Sequence, residues 1–178
     1  MSDVTPKLVG RHKRLSFMQT EKGTYTRMTG FTSLSESKES KEYSRQYVDE
    51  ATERTDVVGY ATGVSYEFDR HTNTPVHAML AEISDNEIVG TEAQVNITTV
   101  DLFETVGSDG KTCKARMRTY SVIPDASGDG TDALIYSGTL KAAGEIVHGT
   151  AATTDGWKTC TFTKSEETGP QEEAVFPE

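Results

Sequence analysis

The chain has 178 residues, 34% of them hydrophobic, with a net charge of −10 and a pI near 4.9. That length suits one domain with extensions, and the modest apolar content leaves much of it to surface, loop or interface. The acidic balance argues against a basic cleft that wraps nucleic-acid phosphates, though not against a conduit through which DNA passes without sticking.

Residues 1–14 are polar, with Lys7, Arg11, His12, Lys13 and Arg14 forming a basic patch, and read as an N-terminal arm or tail. They lack an apolar signal core, and no run in the chain approaches the ~18 apolar residues of a membrane helix, so the protein is expected to stay in the cytoplasm. A β domain is expected over 15–164. Leu15 to Gln19 and Thr24 to Gly30 are short strands joined by a turn at Glu21-Lys22-Gly23. Ser33 to Glu53 is rich in Ser, Lys and Glu and has no steady period, so it reads as a long mid-chain loop, or as a long hairpin or arm that packs on a neighbouring subunit through Tyr43, Tyr47 and Val48. From Arg54 to Asp69 the residues alternate, placing Tyr60, Thr62, Val64, Tyr66 and Phe68 on one buried face of a strand. A flanking helix spans 74–83. Thr74 stands at its cap, Pro75 at its first turn, and Val76, Met79, Leu80 and Ile83 line one face.

Further strands are expected at Ala93 to Leu102, where the parity change by Val100 hints at a bulge, and at Thr112 to Ile123. In the latter, Lys114, Arg116 and Arg118 lie opposite Cys113, Ala115 and Met117. Pro124 to Asp132 reads as a loop. Ala133 to Leu140 alternates, with Leu134, Tyr136 and Leu140 on one face. Gly144 to Gly149 is a weaker candidate. Trp157 to Lys164 makes the last strand, with Trp157 in the core. Residues 165–178 form an acidic tail. The sum is a mainly β fold, a β-sandwich or barrel with one flanking helix and extended termini.

Phe31-Thr-Ser-Leu-Ser-Glu-Ser-Lys, Lys41-Glu-Tyr-Ser-Arg-Gln-Tyr-Val-Asp-Glu, Thr52-Glu-Arg-Thr-Asp-Val-Val-Gly-Tyr and Tyr66-Glu-Phe-Asp-Arg-His-Thr-Asn-Thr-Pro-Val-His resemble the major tail (tail tube) proteins of tailed bacteriophages and prophages. The similarity is best from Met28 to Val100. These strings hold no catalytic chemistry, so their specificity rests on their continuity. The resemblance implies a virion protein that forms six-fold rings, stacked into a hollow tube whose lumen carries DNA at infection. It also implies tape-measure and tail-tip or terminator proteins as partners, and it points at the 33–53 loop and both termini as contacts between subunits. Phe31, Leu34, Tyr43, Arg45, Tyr47 and Val48 are the candidate interface residues, because aromatic and arginine side chains dominate interface energy. If the Arg54 to Asp69 strand is the inner one, Glu67 and Asp69 face the lumen and repel phosphate.

Chemistry has no anchor in the sequence, and neither an enzyme activity nor a cofactor is expected. There is no phosphate-binding loop, nucleophile elbow, zinc-protease helix or paired-cysteine motif. Cys113 and Cys160 read as free thiols on strands. His71 and His77 with Asp69 make a poor metal set, and Asp125, Ser127, Asp129, Thr131 and Asp132 echo a calcium loop that fails at Tyr136, where it requires Glu. The Lys114, Arg116, Arg118 face is expected to pair with carboxylates. The alternatives are a monomeric β-sandwich module for binding or virion decoration, and the tube of a contractile tail or bacteriocin-like particle.

Overall fold

The computed structural model describes residues 5–128 and 130–166. The N-terminal arm is therefore seen from residue 5, and the acidic tail beyond Glu166 lies outside the described residues, as does Asp129. Nine strands form one antiparallel sheet: β1 (Arg14–Glu21), β2 (Thr24–Arg27), β3 (Phe31–Arg45), β4 (Arg54–Asp69), β5 (Gln94–Thr105), β6 (Thr112–Ser127), β7 (Ile135–Ala142), β8 (Val147–Ala152) and β9 (Thr159–Lys164). Among the described residues there is one α-helix, α1 (Pro75–Asp85), between β4 and β5. The mainly β expectation with one flanking helix holds. In place of two facing sheets there is one sheet that partly closes on itself.

The closure is made by β6. Strand order runs β3-β4-β7-β6-β5-β1-β2-β9-β8, and β8 returns to pair with β6. One edge of β6 pairs with β5 from Cys113 to Ser121. Its other edge is divided, with Thr112 to Met117 against β8 and Tyr120 to Ser127 against β7. Six strands thus make a barrel, and β7, β4 and β3 extend from it as a wing.

A six-stranded barrel is narrow, and small side chains suit its interior. Leu15, Phe17, Tyr25, Val100, Cys113, Ala115, Ala151 and Cys160 fill it. Both cysteines are free and buried, and burial pushes the Cys160 thiol up to about 12. Trp157 is half-buried and closes the barrel against Phe17, with ring centroids 6.1 Å apart. It sits before β9, not within it. Its left-handed turn is held by Thr153 Oγ1, which accepts from the Trp157 N–H at 3.0 Å. The Asp155 carboxylate accepts from the amides of Lys158 and Thr159 at 3.1 and 3.0 Å; the bonds from Thr159 hold its pKa down near 2.

A second core lies on the other face, where α1 packs across the sheet. Met18, Tyr66, Phe68, Val95, Tyr120, Val122, Tyr136 and Leu140 meet Val76, Leu80, Ala81 and Ile83 of the helix. The parity change in β5 is explained by these two cores. Val95 and Ile97 point to the helix side and Val100 into the barrel, with register continuous through Val100 opposite Ala115. The irregularity falls later, between Val100 and Thr105.

Other expectations shift by small amounts. Thr74 stands at the helix cap, but its hydroxyl donates to Thr72 O at 3.4 Å and caps nothing. The 124–132 segment is strand as far as Ser127, because β7 pairs with it through a bulge between Pro124 and Ala126. Leu134 precedes β7 and is exposed, and the weak strand at 144–149 lies at Val147–Ala152. Gly138 is required in β7, since a Cβ there would lie 2.6 Å from Tyr66 Oη and 2.7 Å from Ile123 O.

His77 ties the helix to both ends of the β3–β4 hairpin. Fully buried, it stacks on Phe68 at 4.4 Å and meets the edge of Phe31 at 5.5 Å. The His71 N–H donates to its Nδ1 at 3.1 Å, so its proton sits on Nε2 and is donated to Thr29 O at 2.6 Å. Gly30 follows Thr29 with φ +75°, and a Cβ there would lie 2.9 Å from the imidazole. Burial lowers the His77 pKa from the usual 6.5, and His71 and Arg70 add to this. Below about pH 6.5 the unfolded chain therefore binds more protons than the folded one, and stability present above that value is lost as pH falls through the folded pKa. Denaturant midpoints should fall from about pH 7 to about pH 5. His77→Gln, which keeps a donor and an acceptor but does not titrate, should cost about 1–3 kcal/mol at neutral pH and flatten that slope. An unchanged slope would count against the role of His77.

Candidate functional site

Of the two readings of the 33–53 segment, the hairpin is the one seen: it is strand to Arg45 and a turn from there to Glu53. Phe31 to Arg45 is a fifteen-residue strand, paired with β4 from Phe31 opposite Phe68 to Arg45 opposite Arg54. The segment lacks a period because nearly all of it is exposed on both faces, so no burial constraint selects apolar positions. β7 supports β4 only from Gly63 onward. The outer half of the hairpin is therefore a free two-stranded ribbon, reaching about 30 Å beyond the sheet at ~3.3 Å per residue.

Among the described residues, this ribbon is open on both edges. The outer edge of β3 carries charges of both signs: Glu36, Lys38, Glu39, Lys41 and Glu42. The outer edge of β4 differs. Val57 to Ser65 contains no charged residue, and its first half has no neighbour. A long uncharged edge is a template for another strand, whereas alternating charge restricts which partner pairs. A further irregularity falls between Lys41 and Glu42, where β4 holds the extra residue Val58.

The proposed interface residues fall into two groups. Tyr43 (47% exposed), Arg45, Tyr47 (50%) and Val48 lie on the outer ribbon or its tip, with the Arg45 guanidinium 5.3 Å from the centre of the Tyr43 ring. The tip is tied by the Gln46 amide donating to Glu50 O at 3.2 Å and by the Arg54–Glu50 ion pair. Phe31 and Leu34 lie at the base instead. Phe31 packs 5.1 Å from Phe68, and Leu34 packs on the helix-side core. Their role is to anchor the arm, because β4 is supported by β7 and α1 at that height.

Sequence reasoning missed Val57, Val58 and Tyr60, which are 52%, 66% and 61% exposed. Tyr60 belongs to the same face as Val64, Tyr66 and Phe68, and was expected to be buried. It is exposed because the ribbon has left the sheet by that point. The available signal was length, since a sixteen-residue strand outruns an eight-residue neighbour.

Glu67 is exposed on the face opposite Tyr66 and Phe68, between Ser33 and Ser137, and accepts from Thr32 Oγ1 at 2.9 Å. Asp69 is half-buried at the hairpin base, where its carbonyl accepts from His71 Nδ1 at 2.7 Å. The two are on one face of β4 but only Glu67 is open to solvent. No group of three ligating side chains suited to a metal occurs among the described residues. Nor is any helix there long and apolar enough to cross a membrane.

The basic face of β6 is partly paired, as expected. Lys114 meets Glu104 at 3.0 Å, and Arg116 approaches Asp101 at 3.9 Å. Asp101 is taken chiefly by Arg14, at 2.5 Å, and this hydrogen bond raises the Arg14 pKa. Arg118 donates to Gly144 O at 2.7 Å and, among the described residues, meets no carboxylate within ion-pair distance.

No family model matches the sequence, and no curated protein matches it significantly. Among solved structures, the chain is similar to one from the cryo-EM structure of the anti-feeding prophage (AFP) baseplate, 6-fold symmetrised. The TM-score is 0.45 and the identity 10%, covering 81% of this chain and 97% of that one.

Proposed function

We propose that this chain is a structural subunit that assembles with copies of itself into the hollow tail tube of a phage-type particle, as hexameric rings stacked end to end. The observation that carries the reading is the β3–β4 ribbon. A two-stranded ribbon is marginal in water by itself. This one holds its length with both edges unpaired and with Tyr43, Tyr47, Val48, Val57, Val58 and Tyr60 exposed. Such a surface is accounted for by strands and side chains of neighbouring copies. The resemblance of residues 28–100 to tail tube proteins supports a tube over other homomeric assemblies. On this reading tape-measure and tail-end proteins are the other partners, and DNA transits the lumen without being bound.

The reading makes no use of catalysis. The side chains with displaced pKa values are accounted for by burial, by the Arg14–Asp101 bond and by the Asp155 turn. Net charge of −10 suits a channel for a polyanion.

Negative-stain electron microscopy over a concentration series, paired with sizing in solution, tests assembly. Hollow tubes or stacked rings are expected. Excising residues 41–59 and closing the ribbon with an Asn-Gly turn should leave a folded monomer that forms no tubes, because the removed residues touch neither core. Tubes that persisted would remove the arm from the account. If the outer face of β4 lines the lumen, Glu67→Lys should leave tubes intact and slow DNA ejection at low ionic strength, with the effect fading as salt screens it. Ejection at the unaltered rate would place Glu67 elsewhere.

A further inference from the structure

The helix-side face of the sheet is longer than α1, which at 1.5 Å per residue spans only about 16 Å. On β6 that face passes from Val122 and Tyr120, buried under the helix, to Arg118 and Arg116 beyond it. On β5 it passes from Val95 and Ile97 to Thr99 and Asp101, and on β1 from Met18 to Ser16 and Arg14. The uncovered part is a groove. One recess of it, about 270 Å³, is lined by Leu34, Val64, Ile97 and Leu140 together with Arg11 and Arg14. One adjoining recess shares Arg14 with it and reaches Arg116, and another shares Glu36, Ile97, Thr99 and Tyr120 with it and carries Arg116 and Arg118. The Arg11 guanidinium donates to Arg14 O at 2.9 Å and to Leu34 O at 3.2 Å.

In a chain of net charge −10 this groove is locally cationic. Four arginines, Arg11, Arg14, Arg116 and Arg118, and Lys114 face three carboxylates, Glu36, Asp101 and Glu104, of which Glu104 is paired with Lys114. Glu36 is partly taken by Lys38, at 3.3 Å. The occupant such a groove fits is an extended segment carrying several carboxylates and one aromatic anchor.

The chain carries one such segment. Residues 167–178 contain Glu167, Glu172, Glu173 and Glu178, no Lys or Arg, and the apolar run Ala174-Val175-Phe176. The described chain stops at the groove's margin. Ser165 lines the recess that holds Arg14 and Arg116, and its N–H donates to His148 O at 3.0 Å. From there the ten residues to Phe176 reach as far as about 33 Å.

We propose that residues 167–178 dock in this groove of their own chain, with Phe176 on the apolar floor and the glutamates along the arginines. The tail then covers the part of the sheet face that α1 is too short to reach. This does not rest on the tube reading, and its test is made on unassembled protein.

The receptor is the full chain with its tail silenced by Glu172→Gln, Glu173→Gln and Phe176→Ala. The probe is a fluorescent synthetic peptide of residues 167–178, followed by anisotropy. The peptide should bind the silenced chain, more weakly as salt rises, and Arg116→Glu in that chain should weaken it further. The unaltered chain should bind the peptide at least about tenfold more weakly, because its tethered tail competes at an effective concentration in the millimolar range. No binding to the silenced chain, or equal binding to both, would overturn the proposal. Resistance of the unaltered chain should survive dilution over about two decades, since tethered competition does not depend on protein concentration. Binding that appeared on dilution would show the groove filled by a second copy's tail, and the own-chain assignment would fail.

Discussion

The architecture depends on how one strand divides its hydrogen-bonding edge. β6 runs sixteen residues and pairs with β5 on one side from Cys113 to Ser121. On the other side it gives its first half to β8 and its second half to β7. The first pairing closes a barrel, and the second opens a wing. Because successive side chains alternate, one strand also feeds two cores: Cys113, Ala115 and Met117 point into the barrel, while Tyr120 and Val122 point beneath the helix. A strand that stopped at either half would leave a barrel without an arm or an open sheet without a closed end.

Each side of this division leaves something uncovered. The barrel is narrow enough to be filled by cysteine, alanine and a few larger residues. The wing is wider than its single helix, so the sheet face beyond Tyr120 is left as an arginine-lined groove. The β3–β4 hairpin outruns β7, so its outer half has lost a neighbour on one edge and never had one on the other. Both surfaces are defined by the same geometric shortfall, in which the covering element is shorter than the element it covers. They differ in chemistry. The groove is cationic around an apolar floor and suits an acidic segment. The ribbon offers an uncharged edge, an edge of alternating charge and exposed aromatics, and suits another copy of a sheet.

The base of the ribbon is fixed as firmly as its end is free. His77 holds the backbone on both sides of the hairpin, at Thr29 and at His71, and stacks between Phe31 and Phe68. Tyr136 Oη donates to the Asp85 carboxylate at 3.0 Å, tying the far end of the helix to β7. A rigid root under an unpartnered arm sets the arm's direction before any partner arrives, which lowers the ordering cost of association.

Much of this was legible from the residues. The alternation of Thr62, Val64, Tyr66 and Phe68, the helix beginning at Pro75, the small interior residues of β6 and the free thiols all follow from local patterns, because each is constrained by burial on one face. A long hairpin was one reading the sequence allowed for Ser33 to Glu53, but its strand could not be placed, since Ser33 to Arg45 is exposed on both faces and composition there reflects solvent. Phe31 and Leu34 were grouped with the tip residues because sequence order does not say where support ends. The sequence by itself determined which residues are apolar on which face, and hence a mainly β chain with one amphipathic helix. Only the tertiary structure decided that β6 pairs with both β7 and β8, that Tyr60 stands in solvent while Tyr66 is buried, and that Arg11 and Arg14 share a groove with Arg116 and Arg118 of β6. Those depend on which strands become neighbours and how far each extends, and pairings between residues distant in sequence leave no local period to read.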